Sequence, residues 1–166
     1  HHSQVGVLHY QKTVEMAARY QIMLNIHEPI KGTGIERTYP NILTREGAKG
    51  QEYEGGKIRL NHATILPFTR MLAGAFDYTP GIFDLNNPAK RVYTTLARQL
   101  AFYVIFYSGM QMLADRPEIY DKYPKVFEFL KEVPVNWQTT IPLLGKIGEY
   151  FVVARQDRDS SDWYIG

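Results

Sequence analysis

The sequence has 166 residues, 45% of them hydrophobic and 22% charged, with a formal net charge of +2 and no cysteine. That length suits one domain, and that composition buries a core beneath a charged surface. It excludes disulfides and thiolate metal sites, and the scattered Lys and Arg residues form no nucleic-acid stripe. No apolar run reaches the roughly 18 residues of a membrane span. No signal peptide is visible, which says little if the chain is a fragment.

Residues 4–20 read as a helix, with Leu8, Gln11, Val14, Ala17 and Ala18 on one side. The apolar run at 21–26 reads as a buried strand of the parallel kind. His27 and Glu28 follow at its end, and Pro29 stops the strand and biases Glu28 away from helix. The Gly-rich loop Lys31-Gly32-Thr33-Gly34 comes next, without the spacing of a P-loop or dinucleotide fingerprint. Residues 39–43 read as a second short strand, ending before Thr44-Arg45-Glu46-Gly47. A loop is expected at 51–56, a helical stretch over 64–72, and a strand-like piece at 76–78 that ends at Thr79-Pro80-Gly81.

Two longer helices are expected after that. One covers 91–114, with Leu96, Leu100, Tyr103, Val104 and Tyr107 as its core stripe. The other covers 117–131, with Pro117 suited to the first turn and Pro124 placed to split or kink it. Residues 148–155 and 163–165 read as an antiparallel hairpin around a polar turn. Alternating helix and strand argues for a parallel α/β sheet. The strands are few for a closed sheet, since a complete eightfold barrel takes about 250 residues. The chain is then either a small open sheet or part of a barrel.

The carboxylates are the notable chemical feature. In a parallel α/β architecture, catalytic groups gather where strands end and loops begin. Glu28 and Glu46 fit that placement, and Glu52 follows in the next loop. Glycoside hydrolysis needs two carboxyl groups. Three clustered carboxylates also suit a hard cation such as Ca²⁺. Against this, most loop glutamates are simply solvated, and Glu54 reads that way. On pattern alone, His27 is a strand-end histidine bonded to backbone; His9 and His62 carry weaker signals. Phe102, Tyr103, Phe106 and Tyr107 read as core rather than a sugar platform, and Asp77 as either a turn or a pocket residue. Surface placement is the simplest reading of Arg37 and Arg45.

Several segments carry a wider resemblance. They are His27-Glu28-Pro29-Ile30-Lys31-Gly32-Thr33-Gly34, Arg37-Thr38-Tyr39-Pro40-Asn41 and Thr44-Arg45-Glu46-Gly47-Ala48-Lys49-Gly50-Gln51-Glu52. Ile65-Leu66-Pro67-Phe68-Thr69-Arg70, Asp77-Tyr78-Thr79-Pro80-Gly81 and Asp162-Trp163-Tyr164-Ile165-Gly166 follow in order. Together they resemble the glycoside hydrolase family 97 α-glycosidases over nearly the whole chain. His1-His2, ahead of Gln4 to Lys12, also looks like family sequence, so a native stretch is expected there rather than a tag.

The resemblance implies an α/β fold, a (β/α)8 TIM barrel between two β-sandwich domains. Residues 1–140 correspond to the second half of the barrel and 141–166 to the start of a C-terminal β domain. It implies a calcium-dependent, inverting α-glucosidase, since inverting members carry Glu at the position of Glu28 and retaining members tend to carry Gly. Glu52 matches the general acid. Glu28 matches one of two water-activating carboxylates and a calcium ligand. Glu46 matches a second calcium ligand, Glu52 lies near the metal as well, and His27 touches the sugar. Glu52 is then expected to hold its proton near neutral pH, and Glu28 and Glu46 to stay ionised beside the cation. The implied substrate is an α-linked oligosaccharide and the implied setting bacterial, periplasmic or secreted.

By the same comparison, a partner base and a further calcium-ligating glutamate lie upstream of this chain. Half a barrel exposes strand edges and associates readily. The chain is therefore expected to be an inactive fragment that pairs with the missing N-terminal half or with another copy. The alternative is a non-catalytic carbohydrate-binding or self-associating half-barrel module. A small stand-alone α/β protein without sugar chemistry is a third reading.

Overall fold

Helix α1 (Gln4–Arg19) starts at Ser3, whose hydroxyl accepts the Gly6 N–H at 3.2 Å. This satisfies one of the donors that a helix leaves free at its start. The helix ends in a Schellman motif, in which Gln21 N–H donates to Ala18 O and Ile22 N–H to Ala17 O. Gln21 takes the left-handed position, φ 57°, that glycine usually fills. Its inner face is narrower than the sequence pattern suggested: Val14 and Ala17 are buried, while Leu8 is exposed. The computed structural model describes residues 2–53, 59–87 and 92–166. The solvated Glu54, the loop glycines Gly55 and Gly56, and the helix start expected at Arg91 lie outside the described residues.

Strand β1 (Leu24–Ile26) pairs in parallel with β2 (Ile42–Arg45), Asn25 opposite Thr44 and Ile26 opposite Arg45. Parallel partners need a crossover connection. Here it contains a short helix, α2 (Ile35–Thr38), in a stretch to which the sequence pattern assigns no element. Because the strands are parallel, His27-Glu28 and Glu46 leave the ladder at the same end.

The segment 76–78 continues this layer without joining the ladder. Asp77 N–H donates to Arg45 O at 3.0 Å, Phe76 N–H to Tyr107 O at 2.8 Å, and Tyr78 O accepts from Gln51 N–H at 2.8 Å. Its side chains alternate, as in a strand. Phe76 and Tyr78 enter an aromatic core with Phe102 and Phe106, and Asp77 bonds toward β1. Leu66–Phe68 and Arg70–Ala73 are short 3₁₀ turns in place of the helical stretch expected at 64–72.

Helix α3 (Leu96–Ile105) is shorter than the one expected at 91–114. Thr95 caps it by accepting the Arg98 N–H. Phe106 is already extended, and from there burial alternates: Phe106 and Ser108 are buried, Tyr107 is exposed. The chain has switched from period 3.6 to period 2. Gly109 permits the close pass over β2 that follows, since a Cβ there would stand 3.1 Å from Leu43 O. Pro124 does split the next helix, into α4 (Pro117–Tyr120) and α5 (Pro124–Glu132).

Three antiparallel strands close the chain, in the order β3 (Trp137–Lys146), β4 (Tyr150–Asp157), β5 (Trp163–Ile165). The β4–β5 hairpin matches expectation. The long β3 does not appear in the sequence reading, because Pro142 and Gly145 interrupt its pattern. The ladder slips beside that proline, between Pro142 and Leu144. Residue 140, the expected domain division, lies inside β3. Val153 of β4 packs with Tyr103, Val104 and Val133, which joins the sheet to α3. Buried Arg155 ties the same seam, donating to Ile105 O and Thr140 Oγ1. The described residues thus form a mixed α/β unit with one parallel strand pair and one three-stranded antiparallel sheet.

Candidate active site

His27, Glu28, Glu46 and Glu52 line one pocket of about 660 Å³, together with Ala48, Lys49 and Tyr53. The four residues singled out in the sequence therefore line the same pocket. The Glu28 N–H donates to Glu46 Oε2 at 3.0 Å, which pins the strand-end turn of β1 to that of β2. Glu28 itself sits at φ 47°, in the left-handed region. Pro29 disfavours the right-handed alternative. A non-glycine residue held there is strained, and such strain persists only where its surroundings enforce it.

Arg70 braces the backbone that carries Glu46. Its guanidinium donates to the carbonyls of Arg45, Glu46, Gly74 and Ala75 and lies over the Phe76 ring. Burial, with the Arg45 charge nearby, lowers its pKa to about 10. Arg70→Met leaves these carbonyls without a donor and is expected to cost about 1–3 kcal/mol. A lowered denaturation midpoint checks this. Arg45 departs from its expected surface placement and is buried; a side chain on Gly32 would overlap its guanidinium. Arg37 is exposed, as the pattern suggested.

His27 is bonded to a carboxylate and not to backbone, which corrects the pattern-based reading. Its Nε2 lies 2.6 Å from Asp77 Oδ2. Asn25 Nδ2 donates to the same oxygen at 2.6 Å, and Thr79 N–H donates to Oδ1 at 2.9 Å. Asp77 has no exposed surface. Burial alone would lower the His27 pKa. The hydrogen bond and charge of Asp77, joined by Glu46 and Glu52, outweigh it and hold that pKa above the usual histidine value.

Glu52 follows directly on a buried amide pair that the sequence reading missed. Gln51 and Gln99 exchange hydrogen bonds, Nε2 to Oε1, at 3.1 Å in both directions. Gln99 Oε1 also accepts from Gly81 N–H and Ile82 N–H. One glutamine of α3 therefore fixes both the loop that carries Glu52 and the Thr79-Pro80-Gly81 turn. A polar residue inside an apolar helix stripe is the signal that could have found it. Gln99→Leu strands buried donors on three residues and is expected to destabilise by about 1–3 kcal/mol per unmet group, read as a lowered midpoint.

The oxygen-rich pocket suits a hard cation by donor type. Ca²⁺ takes roughly six to eight oxygens. Among the described residues, no three Asp, Glu or His side chains stand close enough to hold a metal ion. The Lys49 ammonium shares the pocket. On their own these residues do not fit a calcium site, and no chemical step is assigned to a metal.

Comparison with known proteins adds to this geometry. The family model described as Glycoside hydrolase 97 matches residues 1–48. The retaining alpha-galactosidase of Bacteroides thetaiotaomicron is 37% identical over 93% of this chain and 25% of its own length. A probable retaining alpha-galactosidase of Streptomyces bingchenggensis is 35% identical over 99% of the chain and 25% of its own length. Among solved structures, a glycoside hydrolase family 97 enzyme from Pseudoalteromonas sp. strain K8, in complexes with panose and with acarbose, superposes with TM-score 0.85 at 46% identity. That match covers 94% of this chain and 26% of the other. No helix among the described residues is long and apolar enough to cross a membrane.

These relatives correct one expectation. The inverting α-glucosidase inferred from Glu28 is overturned by curated relatives named as retaining alpha-galactosidases. The physical reason is that stereochemistry belongs to a pair of carboxyl groups and their separation. One glutamate does not set it. In sequence and fold this chain is similar to glycoside hydrolase family 97 proteins, and it spans about a quarter of the length of the relatives it matches.

Proposed function

We propose that this chain supplies one wall of the active site of a glycoside hydrolase that cleaves α-linked sugars. The observation that carries the reading is the meeting of His27, Glu28, Glu46 and Glu52 on one pocket. Two parallel strand ends and the loop after β2 deliver them. Glu52 protonates the departing glycosidic oxygen. Glu28 sets negative charge against the oxocarbenium-like transition state. His27 takes a sugar hydroxyl, and Glu46 holds the Glu28 turn in place. The names of the curated relatives, and the panose and acarbose complexes of the Pseudoalteromonas enzyme, support a sugar in this pocket.

Residues 1–140 are read as the second half of a (β/α)8 barrel and 141–166 as the opening of a C-terminal β domain. The parallel β1–β2 unit with its helical crossover and the separate antiparallel β3–β5 sheet support two such parts, with the boundary moved ahead of Trp137 so that β3 stays whole. The rest of the pocket then comes from other parts of the whole protein, and the 166-residue chain alone is expected to show no turnover.

The test is hydrolysis of a panel of α-linked aryl glycosides and oligosaccharides by the full-length protein carrying this chain. Turnover is expected there and not from the isolated chain. A full-length protein inert toward the whole panel defeats the reading. His27→Ala is expected to raise KM roughly tenfold, the size of one lost hydrogen bond in a desolvated site, with a smaller change in kcat.

A further inference from the structure

We infer that Asp77 is a positioning residue: it fixes His27 in one tautomer and leaves Nδ1 as the ring nitrogen offered to the sugar. This deepens the reading of the pocket given above and rests on it. Asp77 has no exposed surface, yet three donors converge on its carboxylate. Two come from the end of β1: Asn25 Nδ2 and His27 Nε2, each 2.6 Å from Oδ2. The third is the N–H of Thr79, 2.9 Å from Oδ1.

A carboxylate only accepts hydrogen bonds. The proton between His27 and Asp77 therefore sits on Nε2, and in a neutral imidazole the bare lone pair is on Nδ1. His27 keeps about a third of its side chain open, 34%, and lines the carboxylate pocket. Its Nε2 is spent on the buried Asp77. An Nδ1 lone pair accepts from a hydroxyl, which is the group a sugar presents in number.

The carboxylate is itself held from behind. Phe76 and Tyr78, on either side of it, are packed among Phe102 and Phe106. Thr79 is locked at φ 57°, a conformation a β-branched residue rarely adopts. Asp77 therefore transmits the rigidity of the aromatic core to His27. Replacing it by Asn preserves shape but turns an acceptor into a donor. Either Thr79 N–H or the His27–Asn25 side then faces a donor, and the ring is no longer forced into one tautomer.

The experiment uses the full-length protein with isotope-labelled histidine ring nitrogens, with the pH raised until the His27 ring is neutral. The His27 signal, identified by its loss in His27→Gln, is expected to show a protonated Nε2 and a bare Nδ1. In Asp77→Asn that fixed tautomer is lost, and kcat/KM for an α-aryl glycoside falls roughly 10–100-fold, the loss usual for a partner that orients a functional histidine. Added to His27→Gln, Asp77→Asn is expected to cost little more. If Asp77 is only a strut for its turn, the tautomer survives in Asp77→Asn and the two losses add; that overturns the inference. A neutral wild-type ring protonated on Nδ1 and bare on Nε2 overturns it without any variant, should Asp77→Asn not fold. The tautomer is read without turnover, so a protein inert toward every glycoside fails the functional reading separately.

Discussion

Glu52→Gln in the full-length protein is expected to lower kcat for an α-linked disaccharide by roughly 10²–10⁴-fold. The amide keeps the shape and most hydrogen bonds of the carboxyl, but it has no proton to give to the departing oxygen. Sugar binding should therefore survive, with KM changed little. The loss should shrink for an aryl glycoside whose phenolate leaves without protonation. Equal losses on both substrates would remove Glu52 from the acid role. The placement of Glu52 supports the expectation. It lines the pocket with Glu28 and His27, and its neighbour Gln51 is anchored through Gln99 to α3.

Phe106→Ala is expected to destabilise the fold by about 3–5 kcal/mol, the range for removing a fully buried aromatic ring. Phe106 has no exposed surface and meets three other rings, with centroids 5.6 Å from Phe76, 4.5 Å from Tyr78 and 5.2 Å from Phe102. The next residue is the control. Tyr107 is 38% exposed and faces Arg155. Tyr107→Ala should cost well under half as much, since partly exposed substitutions usually fall below about 1 kcal/mol. Unfolding midpoints of the two variants compare them directly. Similar midpoints would mean that Tyr107 is packed as tightly as Phe106. Because Phe76 and Tyr78 flank Asp77, Phe106→Ala should also loosen the His27 site.

The carboxylates were legible as candidates because the sequence marks where strands stop. Glu28 follows an apolar run and precedes a proline, and Glu46 follows a second run. What the sequence could not show is that the two strands are parallel neighbours. Pairing is a contact between residues far apart in the chain, and local pattern carries no term for it. The same blindness hid Gln99. A glutamine within a helix stripe reads as a surface residue until a second buried amide is found opposite it. It also hid the end of α3, where aromatic residues fit both periods and only packing against Phe76 and Tyr78 selects the extended form.

Asp77 marks the boundary between the two kinds of knowledge. By itself the sequence determined the local stops: the break at Pro124, the turn after Tyr78, and the glutamates at strand ends. Those follow from the chemistry of neighbouring residues. Only the tertiary structure decided what they face. It brought Asp77 52 residues back along the chain to Asn25 and 50 to His27. It also buried Arg45 and set four predicted side chains around one pocket. The physical reason is that steric and capping preferences act over a few residues, whereas burial and charge are settled by whichever distant segment fills the space.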